Sequence, residues 1–396
     1  MMRMFGSVPR DAMRVVLGAS PLALCLGFYQ VAITVFLPLE GVSVTDLGVL
    51  LATSGLTTVV FSIPFAVLSD RYGRKSIMWS GASLATLISI IPGITTNFLA
   101  LEASAVIGGI GEAMYLATWN AYLADSTTEE TRPATFSLSF MTFTIASGIG
   151  SAIPGFFPFL PLSLGLAHRI LFIVLGILSL LTPLSVVKWA IGMKPESSRK
   201  GILPRKSLGI ITKFSTANLM IGLGAGLIIP LIPTWFYLRF NTTDVFSGPL
   251  IAVSDIAMGL AAALSPYISK RFGLVRGIVL TQLLSTVFLI AMPFSPSAEI
   301  AAPLYVARAT LMNMSSPLSD SFLMNLIAED ERATASSFNV VIWRLPNAVS
   351  TVAGGSLLNG GSLSLPFYLC TALYLASITL FYTLFRSVDK AATGQF

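Results

Sequence analysis

The chain has 396 residues, of which 54% are hydrophobic and only 11% charged, and its mean hydropathy is +0.81. A soluble domain carries about 25% charged residues, so a soluble globular fold is excluded, and the apolar content excludes a disordered chain. Two cysteines are too few for a disulfide scaffold. What remains is a polytopic membrane protein. Lipid leaves the backbone only two spanning forms, helices and closed barrels. The apolar runs here are unalternated and about 20 residues long, as helices require, whereas barrel strands alternate over about ten residues.

The start, MMRMFGSVPRDAMRVV, is basic and leads into a run long enough to span, with no small-residue cleavage site, so no cleaved leader is expected. Apolar runs between charge, Pro and Gly breaks then predict twelve spans in chain order. They fall at about 16–39, 45–68, 76–96, 100–124, 134–160 and 167–190, then 214–238, 246–268, 276–296, 301–326, 334–358 and 364–385. The stretch 191–213 contains KPESSRKGILPRKS, is polar and basic with two prolines, and reads as a linker. It divides the chain into six-helix halves, 1–190 and 214–396. With the N-terminus inside, 20 of the 24 basic residues fall in cytoplasmic segments, against two outside, Arg169 and Arg239, and two within spans, Arg308 and Arg344. Lys and Arg favour the cytoplasmic side, so the expectation is a multi-pass protein of the cell membrane with both termini cytoplasmic. The net charge of +6 is then a topology signal and calls for no nucleic-acid partner.

The two halves match each other at an offset of 200. AVLSDRYGRK at 66–75 aligns with PYISKRFGLV at 266–275, so Arg71 meets Arg271 and Gly73 meets Gly273. EETRPAT at 129–135 aligns with DERATA at 330–335, placing Arg132 on Arg332, while Gly48 meets Gly248 and Gly155 meets Gly355. Internal repeats in a polytopic chain point to a secondary transporter whose site lies between the repeats.

The loop after the second span reads Asp70-Arg71-Tyr72-Gly73-Arg74-Lys75. It resembles the signature loop of the major facilitator superfamily, G-x-x-x-D-R-x-G-R-[RK], with a degenerate copy after span 8. The resemblance covers the whole chain. It departs from the family at Ala66, where the family usually has Gly, and near Ala105, where the family's antiporter-associated Arg is absent. The resemblance implies twelve transmembrane helices in two pseudo-symmetric bundles. It also implies a cytoplasmic latch built on Asp70, Arg71, Gly73, Arg74 and Lys75, with Arg132 and Arg332 in the matching interfacial clusters. The plain physical reading of the same loop is a charged anchor at the interface with Gly73 allowing the tight reversal.

Ionisable residues inside spans are costly unless paired or hydrated. At about 1.5 Å per residue, Glu112 and Arg344 fall near the midplane of spans 4 and 11. Asp255 and Arg308 share a shallower depth in spans 8 and 10, and Asp320 lies near the cytoplasmic end of span 10. Glu112 is a candidate proton-coupling carboxylate, with Asp255 and Asp320 as further ones, because burial disfavours a bare charge. Arg344 or Arg308 offers a bidentate fork to an anionic group on a substrate. The alternative for Asp255 and Arg308 is a buried ion pair that holds the second half together. By resemblance, polar residues on spans 1, 4, 7 and 10 line a central cavity: Tyr29, Gln30, Thr118, Trp119, Asn120, Trp235, Asn313 and Ser316. Each also fits a helix-packing hydrogen bond. Pro230 and Pro233 remove helical hydrogen bonds from span 7, and Gly222, Gly224 and Gly226 read as close helix packing.

The single histidine, His168, sits at the outer end of span 6, which leaves no histidine for a metal or proton relay. No Walker loop and no nucleophile or metal constellation is present, so an enzyme or ATP-driven pump is not expected, and no cofactor is. The reading is a monomeric secondary transporter that moves a small organic solute by alternating access in the lipid bilayer, coupled to protons. Within transport, a multidrug exporter and an organic-anion uptake carrier stay open. Outside it, the rival is a membrane sensor or scaffold that no longer transports.

Overall fold

The structure is a computed structural model that describes residues 8–128, 131–190, 207–262, 265–327 and 332–393. Among these residues the only regular structure is helical. The chain runs through α1 (Arg10–Gly18), α2 (Ser20–Leu39), α3 (Val44–Tyr72), α4 (Arg74–Ala85), α5 (Leu87–Ile94), α6 (Phe98–Asp125) and α7 (Arg132–Ala152). A 3-10 segment, Ile153–Phe159, leads to α8 (Leu164–Ser179) and α9 (Leu181–Trp189). Beyond residue 206 follow α10 (Leu208–Ile228), α11 (Ile232–Phe240), α12 (Asp244–Ala262), α13 (Ser265–Phe272), α14 (Leu274–Ala291), α15 (Ala298–Leu326), α16 (Arg332–Asn359) and α17 (Leu365–Thr393).

Local chemistry sets these boundaries. Ser43, Asn97 and Ser163 cap α3, α6 and α8, each side chain accepting the backbone N–H three residues on. Pro183 lacks an N–H and crowds the carbonyl four residues back, and the helix breaks there, between Ser179 and Leu181. Pro230 and Pro233 interrupt the seventh span as expected, turning Ile229–Leu231 into a 3-10 turn between α10 and α11.

Ten helical stretches among the described residues are long and apolar enough to cross a membrane. α15 and α16 have 29 and 28 residues but fall outside that set. Each is roughly 40 Å long, ample for a hydrocarbon core of about 30 Å. Arg308, Asn313, Ser315, Ser316 and Asp320 dilute the apolar run in α15, and Arg344 and Asn347 do so in α16.

The chain forms two compact units. One is Met1–Arg199 with Thr243–Ala252, and the other is Lys200–Thr242 with Val253–Phe396. The backbone carries the repeat that the sequence suggested. Gly41 and Gly73 have φ of 86° and 93°, and the residues 200 positions on, Asn241 and Gly273, have φ of 54° and 82°. Such values are left-handed and favour Gly or Asn. Packing repeats too. In the first unit α2 lies on α7 and α4 on α6, and in the second α10 lies on α16 and α14 on α15. A Cβ added to Gly150 of α7 would sit 2.0 Å from the Leu24 carbonyl oxygen of α2, and one added to Gly226 of α10 would sit 2.1 Å from the Asn347 carbonyl of α16. Both pairs are backbone-to-backbone contacts that only glycine permits.

Each unit has its own apolar core. In the first, Val15, Val16, Met78, Tyr122 and Leu123 pack together. In the second, Phe214, Val275, Phe322, Phe381 and Phe385 do so.

Candidate functional site

The first unit carries its central carboxylate on α6. Glu112 is half-buried, and its Oε2 lies 3.2 Å from the Thr58 hydroxyl of α3. The same hydroxyl is 2.9 Å from the Ser54 carbonyl and 3.2 Å from the Gly109 carbonyl. One hydroxyl proton therefore serves three acceptors. A protonated Glu112 donates to Thr58, and an ionised one accepts from it, so the site accommodates either form. Two turns on, Trp119 stacks on Tyr115 with ring centroids 5.2 Å apart and donates its indole N–H to Ser139 at 3.0 Å. Thr118 is buried and bonded to the Met114 carbonyl of its own helix at 2.8 Å. Gln30 and Asn120 are exposed, whereas Tyr29 is buried and meets Phe172 edge-on at 6.3 Å. Sequence reasoning passed over Glu102, the third residue of span 4. It sits near Tyr29, with Oε1 buried and no partner for it among the described residues.

In the second unit Arg308 is 4% exposed. The ion pair with Asp255 offered by the sequence is not formed. Arg308 instead donates through Nη2 to the Tyr374 hydroxyl at 2.8 Å and lies over that ring, while Ser285 donates to its carbonyl at 2.8 Å. The cause is helix rotation, since the side chain meets Tyr374 of α17. Trp235 is fully buried, with its indole N–H bonded to the Leu363 carbonyl at 2.9 Å and its ring among Phe236, Phe240 and Phe367. It is a core anchor of this unit and not a cavity wall. Asn313 is exposed and bonds back to the Ala309 carbonyl at 2.9 Å. Arg344 is half-buried on α16.

At the signature loop, Gly73 takes its positive φ, and Arg74 Nε meets Asp125 Oδ2 at 2.5 Å. That pair ties the start of α4 to the end of α6, and Lys75 beside it is half-buried. Asp125 was not singled out from sequence. Its position as the last residue of span 4 was the available signal. The side chains of Asp70, Arg71, Arg132, Asp320 and Arg332 lie outside the described residues, as do residues 129–130, 191–206 and 328–331 entirely.

His168 corrects the sequence reading most. It is fully buried, with Nε2 2.6 Å from Asp244 Oδ2 and Nδ1 2.8 Å from the Leu164 carbonyl. Phe36 stacks on the imidazole at 5.2 Å and Phe157 meets it edge-on at 4.9 Å. The neighbouring Arg169 pairs with Glu40 at the end of α2 and lies over Phe36. His168 and Asp244 are 76 positions apart, which is why no local motif revealed them.

A bundle of apolar spanning helices repeated within one chain, with ionisable groups held inside, defines a polytopic membrane transporter. The family model of the Major Facilitator Superfamily matches residues 15–217 and again 214–395, and the chain belongs to that family. It is a secondary transporter and a multi-pass membrane protein. Among relatives, the Quinolone resistance protein NorA of Staphylococcus aureus (strain MRSA252) is 22% identical over 90% of this chain and 91% of its own. Multidrug resistance protein 1 of Bacillus subtilis (strain 168) is 25% identical over 85% and 86%. The Inner membrane transport protein YajR of Escherichia coli (strain K12) is 34% identical over 29% of this chain, and the match spans only 26% of that protein. Among solved structures, the nucleoside transporter NupG aligns with TM-score 0.78 at 11% identity, covering 95% of this chain and 99% of that one. A D-xylose-proton symporter aligns with TM-score 0.74 at 14% identity, covering 94% and 95%.

Proposed function

We propose that this transporter exports lipophilic organic cations by alternating access and exchanges them for protons at Glu112. The observation that carries the reading is the Glu112–Thr58 contact at 3.2 Å, in the middle of a spanning helix. It gives a carboxylate a neighbour that can donate to its charged form and accept from its protonated form. Protonation on one face and release on the other would bias the two access states by their different affinities for the proton. Two relatives that match across most of this chain are named for quinolone and multidrug resistance, which supports a drug-like cation as the cargo. Uptake of an organic anion loses weight, because Arg308 is committed to Tyr374 and leaves Arg344 as the remaining intramembrane guanidinium of the two.

The architecture that goes with this function is twelve spans in halves 1–190 and 214–396, joined by the linker 191–213, with both termini in the cytoplasm of a cell-membrane monomer. Gln30, Asn120 and Asn313, exposed on their helices, are its polar contacts, with Trp119 as an aromatic one. The latch of the family's signature loop is carried here by Arg74, with Asp125 as its partner.

Transport of ethidium into inverted proteoliposomes under an imposed pH gradient tests the coupling. Glu112→Gln is expected to cut gradient-driven uptake at least ten-fold and to make ethidium binding weaker and independent of pH, because the amide keeps the Thr58 contact but carries neither the charge that a cation meets nor an exchangeable proton. Undiminished gradient-driven uptake by this variant would falsify the role of Glu112. Saturable stimulation of wild-type proton flux by organic acids, with no response to ethidium, would replace the exporter with an anion carrier.

A further inference from the structure

We propose that His168 and Asp244 form a one-proton binding site that fastens the first turn of α12 to α8, and that the fastening weakens when the proton is lost. The argument is a count of protons. A carbonyl only accepts, so the 2.8 Å contact between Nδ1 and the Leu164 oxygen requires a proton on Nδ1. The 2.6 Å contact between Nε2 and Asp244 Oδ2 requires a second. A neutral imidazole and a carboxylate carry one proton between them, so this arrangement holds one more. Whether the second proton sits on Nε2 or on Oδ2, the pair is neutral overall, as its complete burial demands.

The surroundings offer no substitute for that proton. Phe36 of α2, Phe157 of the 3-10 segment and Phe172 of α8 present rings to the imidazole. α5, which also packs on α8, contains no titratable residue. The charged groups carried by α2, α8 and the first turn of α12 are Asp244 itself, Arg169 on α8, and Glu40 at the end of α2, and the last two are paired with each other. Asp244 Oδ1 has no partner among the described residues. Loss of the proton leaves one for two contacts. Kept on Nδ1 it sets the Nε2 lone pair against the carboxylate, and kept on Nε2 it sets the Nδ1 lone pair against the Leu164 carbonyl. Either way the fully buried pair carries a net negative charge, a cost that separation into water relieves. In water an imidazole does without its second proton above about pH 6.5, so separation at higher pH delivers one proton to the solvent.

On the topology proposed above, the site belongs to the outer side, and outer pH would set how readily the start of α12 leaves α8. That consequence rests on the proposed function, whereas the proton count does not.

His168 is the only histidine of the chain, so labelling with nitrogen-15 histidine reports this site alone. The full chain, purified through a histidine-free tag and placed in phosphatidylcholine nanodiscs without substrate, should show at pH 6 a protonated Nδ1 and an Nε2 that shares a bridging proton. A bare Nε2 at pH 6 would overturn the proposal, and this reading needs no variant to fold. The fastening is read from Ser247→Cys, one turn beyond Asp244 and fully buried, in a chain whose own Cys25 and Cys370 are buried. In Asp244→Asn the amide donates to Nε2 without an extra proton, so this variant keeps the tie at all pH and serves as the thiol control. Both chains carry Ser247→Cys, and the rate at which an impermeant maleimide modifies the introduced thiol is measured in each. The ratio of the rate with Asp244 intact to the rate with Asp244→Asn is expected near one at pH 6 and at least five-fold at pH 9. A ratio that does not change with pH sinks the idea. Neither measurement involves transport, so failure of Glu112 as the coupling site leaves both results standing.

Discussion

Arg308 shows how a single intramembrane charge is made tolerable without a carboxylate in contact. Its guanidinium is buried, bonded through Nη2 to the Tyr374 hydroxyl, and laid over the aromatic ring. Removing that hydroxyl would leave a charged donor unpaired, a loss of about 1.5–3 kcal/mol. Tyr374→Phe should therefore lower the unfolding midpoint in detergent and leave ethidium transport per folded molecule unchanged. A variant that keeps its full midpoint would remove Tyr374 from any supporting role. Sequence placed Arg308 and Asp255 at one depth but could not give their rotation about α15 and α12. Contact across helices depends on rotation as much as on depth, which is how a pairing plausible by position came to be replaced by a tyrosine. The same limit hid the Thr58 hydroxyl beside Glu112, since threonines in a span are too common to single out.

Gly226 and Gly209 make a comparison within one helix. Both lie in α10, but a Cβ on Gly226 would fall 2.1 Å from the Asn347 carbonyl of α16, whereas one on Gly209 meets nothing within 4 Å. Gly226→Ala must push two backbones apart and is expected to destabilise by about 1–3 kcal/mol. Gly209→Ala only reduces the freedom of the unfolded chain and should be neutral or stabilise by about 0.5–1 kcal/mol. Thermal unfolding of the two purified variants decides this, and equal shifts would remove the packing argument. At this scale much was legible. Pro230 and Pro233 gave the break in span 7 from their missing N–H groups alone, and the glycine run of α10 was readable as a packing face. The segmentation of span 6 at Leu180 was equally available from Pro183, yet an apolar run by itself does not show that its helix is interrupted.

For the molecule as a whole, charge placement carries a prediction about orientation. Twenty basic residues against two favour both termini in the cytoplasm. Ser163 precedes α8 and is exposed, and this topology puts it on the outer face. In intact cells an impermeant maleimide should label Ser163→Cys and spare Thr393→Cys until the membrane is opened. The reverse pattern would invert the topology and move the His168–Asp244 site to the cytoplasmic side. Helix position 393 is suited to the test because α17 ends there.

The sequence by itself determined that this is a helical membrane protein and, through the repeat at 200 residues and the signature loop, which family it belongs to. These are properties of composition, period and local turn chemistry. The positive φ shared by Gly73 and Gly273 is the backbone form of a match already visible as letters. Tertiary structure decided which polar side chains meet. Trp235 ceased to be a cavity residue because its indole bonds to the Leu363 carbonyl, 128 residues away. His168 became a site residue because Asp244 is brought to its ring at 2.6 Å. A hydrogen bond is satisfied to within a few tenths of an ångström, and pairings between distant helices at that precision are settled by packing rather than by residue type or spacing.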